Sequence, residues 1–208
     1  MPNDLLTVVD HPILRRLLTT LRDQATSHGD FRRALSDAAA ILAYEALRDL
    51  ATKPVDVETP LETTEGAALA QDVVVVPVLR AGLGMADGFV RFVPEARIGH
   101  LGMYRDEQTK RPVDYYASIP PMENARVFVV DPMLATGGSA AGAVQHLKRR
   151  GAKDVWFVCL VAAPEGVKRL REYHPDVRIV AAALDRELDE RAYIRPGLGD
   201  AGDRIFGT

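Results

Sequence analysis

Hydrophobic and polar positions along this chain follow two different periods. Phe31, Leu35, Ala38, Leu42, Ala46 and Leu50 recur at near-helical spacing, which predicts a first long helix over 31–50 with Asp30 as its cap and Pro54 beyond its end. Further along, the apolar residues run together instead. Val73–Leu79, Val127–Val130, Val155–Val161 and Val177–Leu184 are strand-length and mostly apolar, with little alternation, the pattern of strands covered on both faces. Arg97–Met103 reads as a further strand. Pro77 has no N–H to give a ladder, so pairing is expected to end or bend there. A Gly-rich turn, Ala81–Gly84, opens a helix towards Phe92; further helices are expected from about Ser139 to Arg150 and near Glu165 to Tyr173. Strand and helix in alternation predict an α/β fold, a mainly parallel sheet flanked by helices on both faces, with ligands at the carboxyl ends of the strands. Thr52–Asp72 is polar and holds two prolines, and reads as a connecting arm.

Composition narrows the function. The chain has 208 residues, 47% of them hydrophobic and 26% charged, enough apolar material for a sizeable core. The formal charge of −3 offers no footprint for gripping nucleic acid. Cys159 is the only cysteine; an intramolecular disulfide is excluded, a reducing compartment fits, and the apolar run around it suits a buried, inert thiol. Met1–Asp10 lacks the basic and apolar segments of an export signal, and the apolar runs fall short of a membrane span. The expectation is a cytoplasmic protein with no membrane partner.

The loop after Val127–Val130 carries the first candidate chemistry. It reads Asp131-Pro132-Met133-Leu134-Ala135-Thr136-Gly137-Gly138-Ser139 and leads directly into a helix. Glycines let N–H groups converge on one point, a helix start adds partial positive charge, and the hydroxyls of Thr136 and Ser139 add donors. The glycines by themselves fit a phosphate cradle and a bare βα turn equally well. The loop lacks the lysine and glycine spacings of a Walker A or dinucleotide motif.

A buried strand, an acidic residue and then Ala-Thr-Gly-Gly-Ser resembles the phosphoribosyl pyrophosphate (PRPP) loop of type I phosphoribosyltransferases. The whole stretch 130–139 is similar to that of one branch, the uracil phosphoribosyltransferases, as are 77–85, 161–166, 193–203, the closing Ile205-Phe206-Gly207-Thr208 and the early Asp10-His11-Pro12. The resemblance implies one phosphoribosyltransferase domain over 1–208: an N-terminal helical arm to about residue 70, a core over about 71–184, and a C-terminal uracil-binding segment over about 185–208. A flexible β-arm would close over the site opposite a base-binding hood. It implies transfer of phosphoribose from PRPP to uracil, giving UMP and diphosphate, with Mg2+ carried by PRPP rather than by a protein metal site. It also implies a homodimer or homotetramer, and some members are activated by GTP.

The resemblance assigns PRPP contacts to Arg80, Arg105, Asp200 and the loop Asp131, Pro132, Met133, Leu134, Ala135, Thr136, Gly137, Gly138 and Ser139. Catalytic roles fall to Arg80, Arg105, Asp131 and Asp200. Arg80 and Arg105 would hold the pyrophosphate, Arg105 from the polar segment 104–112, where Lys110 and Arg111 read as solvated charges. Uracil contacts fall to Ile194, Gly199, Asp200 and Ala201. Two departures from purine-specific members favour uracil: Ala135 and Pro132 stand where acidic residues are common. Arg195 departs from the usual apolar residue, and its side chain is expected to point outward. A phosphoribosyltransferase-fold regulator that senses nucleotides and binds RNA is the alternative. Against it, the basic pairs Arg15-Arg16, Arg32-Arg33, Arg149-Arg150 and Lys168-Arg169 are scattered and read as solvated helix faces.

Overall fold

The computed structural model describes residues 5–105 and 112–208, with 104, 105 and 112–114 described by their backbone alone. In chain order the elements are β1 (Leu6–Val8), α1 (Pro12–Arg22), α2 (His28–Ala46), β2 (Thr52–Glu58), β3 (Thr63–Leu69), β4 (Asp72–Leu79), α3 (Leu83–Val90), β5 (Arg97–Ile98), β6 (His100–Arg105), β7 (Pro112–Ser118), β8 (Ala125–Val130), β9 (Met133–Leu134), α4 (Gly138–Arg149), β10 (Asp154–Ala162), α5 (Pro164–Tyr173), β11 (Arg178–Leu184), β12 (Glu187–Leu188), β13 (Ile194–Arg195) and α6 (Ala201–Phe206).

The apolar blocks become the middle of one sheet, ordered β1-β11-β10-β8-β4-β6-β7. Pairing is parallel as far as β6, and β7 closes that edge antiparallel. Each central strand is apolar on both sides because each side meets helices. Val73 and Val75 of β4 join a core with Phe31, Leu35 and Leu42 of α2 and Phe89 of α3. Val74, Val76 and Val78 of the same strand join a second core with Val144 and Leu147 of α4 and Leu170 of α5. Removing each such valine from water is worth roughly 1.5 kcal/mol or more before the entropy of ordering is set against it.

Pro77 marks the place where pairing changes. Its partner Val130 is the last in register with β8. On the other side β4 pairs with β5 through Val74 and Val75 and resumes with β6 at Val78 and Leu79, in unchanged register. The gap coincides with the missing N–H of Pro77.

Two expectations need correction. The long helix starts at His28 rather than Phe31, and Ser27 is its cap: Asp30 N donates to Ser27 Oγ at 3.2 Å while Ser27 Oγ donates to Asp30 Oδ2 at 2.8 Å. Asp30 is the far half of a reciprocal cap. The segment expected as a connecting arm is an antiparallel hairpin, β2 with β3, paired from Thr52↔Leu69 to Glu58↔Thr63. It forms a sheet of its own, with Leu61 at its tip 95% exposed. Among the described residues no helix is long and apolar enough to cross a membrane.

Candidate active site

The carboxyl ends of β4, β8 and β10 lie side by side, and the loops that leave them form the site. β8 ends at Val130, and Asp131 N continues the ladder by donating to Val158 O at 3.1 Å. Pro132 cannot donate, but its carbonyl accepts from both Leu160 N and Val161 N at 3.1 Å. Met133 and Leu134 then pair with Val161 and Ala162 as β9. The loop is thus held down along its first half and released at Ala135–Gly137, where α4 begins.

α4 is capped by Gly137, which is left-handed at φ 74° and supplies no side-chain acceptor. The first-turn N–H groups of α4 therefore open onto the loop, the arrangement that suits an anion. A β-carbon on Gly137 would lie 2.6 Å from Gly166 O, and one on Gly166 would lie 2.4 Å from Ala135 O. The 131–139 loop and the start of α5 are packed backbone to backbone, which accounts for the glycine in Ala162-Ala163-Pro164-Glu165-Gly166.

Asp131 is half-buried at the strand end. Burial pushes its carboxyl up to about 7, opposed by the hydrogen bond from Met133 N. Its carboxylate, together with burial, drives the thiol of Cys159 upward, so that cysteine stays protonated and inert.

Arg80 follows β4 on the Gly-rich turn. The peptide bonds Leu79–Arg80 and Arg195–Pro196 are cis. The turn abuts β8 closely: a β-carbon on Gly82 would lie 2.4 Å from Val130 O. Arg80 reaches α6, with Nη2 3.7 Å from Asp203 Oδ1 and its guanidinium over Phe206 at 5.6 Å. Asp200 caps α6, its Oδ1 accepting from Asp203 N at 3.0 Å. Arg80, Asp131 and Asp200 are therefore gathered at one end of the sheet by the β4 turn, the β8 loop and α6. Arg105 ends β6, beside β4, but its side chain, like Lys110 and Arg111, lies outside the described residues.

The base-binding candidates lie on one short path. Ile194 is buried in β13, Gly199 is left-handed at φ 77°, and Ala201 is buried at the start of α6. A cavity of about 830 Å3 borders this segment, lined by Leu188, Tyr193, Ile194, Arg195 and Gly199 among others. Arg195 is exposed, as expected, and its Nη2 sits 2.9 Å from Asp189 Oδ2.

Three residues that the sequence did not single out hold this segment in place. Arg22, the last residue of α1, donates to both oxygens of the buried Asp185 at 2.8 and 2.6 Å and to Gly197 O at 2.8 Å. Asp185 Oδ2 in turn accepts from Gly197 N at 2.9 Å. Arg204 lies over Phe31 and donates to the carbonyls of Leu21, Leu198 and Asp23, the last two at 2.9 and 2.5 Å.

A mainly parallel sheet flanked by helices, with a loop that leads from a strand-end acid into a glycine-capped helix, is the architecture of type I phosphoribosyltransferases. The adenine phosphoribosyltransferase structure from Trypanosoma brucei shares the fold, with a TM-score of 0.56 at 13% identity over 94% of this chain and 88% of that one. Residues 8–208 match the sequence model of uracil phosphoribosyltransferase, and the chain belongs to that family. It is 68% identical to the uracil phosphoribosyltransferase of Salinibacter ruber over 97% of each chain. The structure of the AQ2163 protein from Aquifex aeolicus is similar to it with a TM-score of 0.93, at 36% identity over 98% of each chain.

Proposed function

We propose that this chain transfers the 5-phosphoribosyl group of PRPP to uracil, forming UMP and diphosphate in pyrimidine salvage. The observation that carries the reading is the gathering of the Arg80–Gly82 turn, the Asp131–Ser139 loop and the start of α6 at the carboxyl ends of the neighbouring strands β4 and β8. The Thr136–Ser139 cradle takes the 5-phosphate, and Arg80 with Arg105 takes the pyrophosphate. Asp131 accepts from the ribose hydroxyls and favours positive charge growing on the ribose ring.

The reaction is displacement at the anomeric carbon. The bond to pyrophosphate breaks with its electron pair leaving on the diphosphate, a bond to the ring nitrogen of uracil forms, and the proton of that nitrogen passes to the diphosphate or to water. Positioning and electrostatics supply most of the acceleration, because charge develops on the leaving group where donors are already aimed. Uracil is read by backbone C=O and N–H groups of Ile194, Gly199, Asp200 and Ala201. Ala135 brings no carboxyl to the loop, so a purine ring nitrogen finds no acid there.

Magnesium fits the donor set as an ion brought in by the substrate. Asp200 and Asp203, at the start of α6 and beside Arg80, are hard oxygen donors of the kind the ion prefers, and it keeps most of its ligands as phosphate and water. Held there by Asp200 and Asp203, directly or through water, the ion would supply positive charge against the pyrophosphate. A homodimer or homotetramer is supported by the β2–β3 hairpin: a two-stranded ribbon alone in water is marginal, and its tip exposes Leu61. The lone buried cysteine suits the cytoplasm.

The test is UMP formation from uracil and PRPP with Mg2+, with and without GTP, beside Arg105→Ala and Asp200→Asn. Rapid product that collapses in both variants, with cytosine and hypoxanthine inert, supports the reading; dependence on GTP would add an allosteric site. Nucleotide binding without UMP under any condition would instead promote the RNA-binding regulator. Against that regulator, Arg15-Arg16 and Arg32-Arg33 belong to the helices of one sheet face, whereas Arg149-Arg150 and Lys168-Arg169 belong to the other, where Arg149 and Arg169 border a common pocket, so the four pairs do not form one patch.

A further inference from the structure

Backbone recognition of a base demands a rigid backbone. A side chain can be held by its rotamer and packing, whereas a loop that reads uracil with its own C=O and N–H groups is only as selective as its φ and ψ are fixed. The segment Ile194–Ala201 holds a left-handed glycine at 197 and another at 199, and glycine is the residue with the most freedom to lose. Something outside the segment must hold it.

The group that does so is an ion pair at the far end of α1. Gly197 sits midway between Ile194 and Ala201, and both of its backbone polar groups are taken by charged side chains. Its N–H donates to Asp185 Oδ2 at 2.9 Å and its C=O accepts from Arg22 Nη1 at 2.8 Å. The two side chains are themselves joined by two hydrogen bonds at 2.6 and 2.8 Å, with the Asp185 side chain 4% and the Arg22 side chain 25% exposed. A β-carbon at Gly197 would lie 2.1 Å from Ile194 O, so the turn folds back against the residue that heads the base segment. One residue further, Leu198 O is held by Arg204 at 2.9 Å.

Resting on the uracil reading above, we infer that Arg22 and Asp185 are positioning residues for base recognition: they touch no substrate and act through Gly197. Each leaves a partner unsatisfied if changed. Arg22→Lys keeps the charge but has a single ammonium in place of a planar fork, and cannot serve two carboxylate oxygens and a carbonyl in the same geometry. Asp185→Asn keeps an acceptor and loses the charge that orders Arg22.

The experiment measures KM for uracil and for PRPP separately in wild type, Arg22→Lys and Asp185→Asn, with Arg126→Lys as a control. Arg126 lies at the opposite end of β8, paired with Asp49 at 2.5 Å and Asp154 at 2.7 Å, so its replacement loosens the fold away from the site. The expected result is a rise in KM for uracil of about tenfold or more in both test variants, the scale of a lost hydrogen bond to a charged group. KM for PRPP stays within about twofold, and Arg126→Lys lowers the melting temperature without moving either KM. An unchanged KM for uracil, or a parallel rise in both KM values, would overturn the inference and leave the pair as a fold anchor.

Hydrogen exchange in the wild type gives a second readout that needs no variant. The Gly197 amide is expected to be protected before uracil is added, and exchange at the rate of an open loop would also overturn it. If wild type itself makes no UMP, the uracil reading fails and takes this inference with it; UMP made normally with an unmoved uracil KM sinks the inference alone.

Discussion

Asp131 stands where a strand ends, and under the proposed function its half-buried carboxyl meets the ribose of PRPP. Its pKa near 7 makes it a titrating group in the working range, and the ionised form is the stronger acceptor for ribose hydroxyls and the only one that carries the charge to favour a positive ribose ring. We therefore expect kcat/KM for PRPP to rise with pH through about 7, and Asp131→Asn to be slower by roughly 100-fold and to lack that limb. Stability runs the other way. The folded state holds this proton more tightly than the unfolded chain, whose carboxyl titrates near 3.8. The resulting stabilisation is complete below about 4 and is lost as pH rises through 7. Comparing melting temperatures of wild type and Asp131→Asn across that window isolates the effect.

The residue scale also shows what a linear reading catches. Asp131, Thr136 and Ser139 are neighbours in sequence, and a hydroxyl-rich glycine loop after an apolar strand announces itself. Arg22 and Asp185 are far apart in the chain, each an ordinary charge among others, and nothing local to either marks the pairing. Asp30 is instructive in a smaller way. An acid before an apolar periodic run is a fair cap, but Ser27 three residues earlier completes a reciprocal pair, and the helix begins there.

At the scale of elements, the contact of α5 with the 131–139 loop is the most exposed to change. Gly166→Ala places a methyl 2.4–2.5 Å from the carbonyl oxygens of Ala135 and Leu134, neither of which can swing away. We expect a loss of about 1–3 kcal/mol, read as a drop of several degrees in melting temperature, and a raised KM for PRPP with the KM for uracil little changed. Steady-state kinetics on the purified variant would check this. The strands themselves were legible because burial on both faces removes polar residues from them. The β2–β3 hairpin was not, since a ribbon wetted on nearly every side has no apolar period and carries two prolines, one in a strand and one at the turn. Strands β5 and β6 look continuous in sequence and are parted by a neighbour's missing N–H, information that sits on β4.

At the scale of the molecule, the hairpin lets the proposed assembly be tested apart from the fold. Replacing Thr52–Leu69 by a short Gly/Ser linker removes no strand from the main sheet. If the proposed assembly runs through the hairpin, the shortened protein keeps native far-UV dichroism and thermal cooperativity and sediments as a smaller species than the intact chain. Equal sedimentation of the two would move the interface elsewhere on the surface.

The pairing of β1 with β11 joins Leu6 to Ile179 and Val8 to Ala181. On a ribosome the first strand made thus waits for about 170 residues before its partner exists, and long-range pairing of this kind is slow. Until then β1 has nothing to bind, and a chain halted before residue 178 carries β10 as a bare apolar border. Such a border invites other chains to dock along it. Premature termination after β10 but before β11 should therefore yield clumped protein rather than a quiet, inactive fragment, and the cell meets the fault as a burden on its chaperones before it notices the missing UMP.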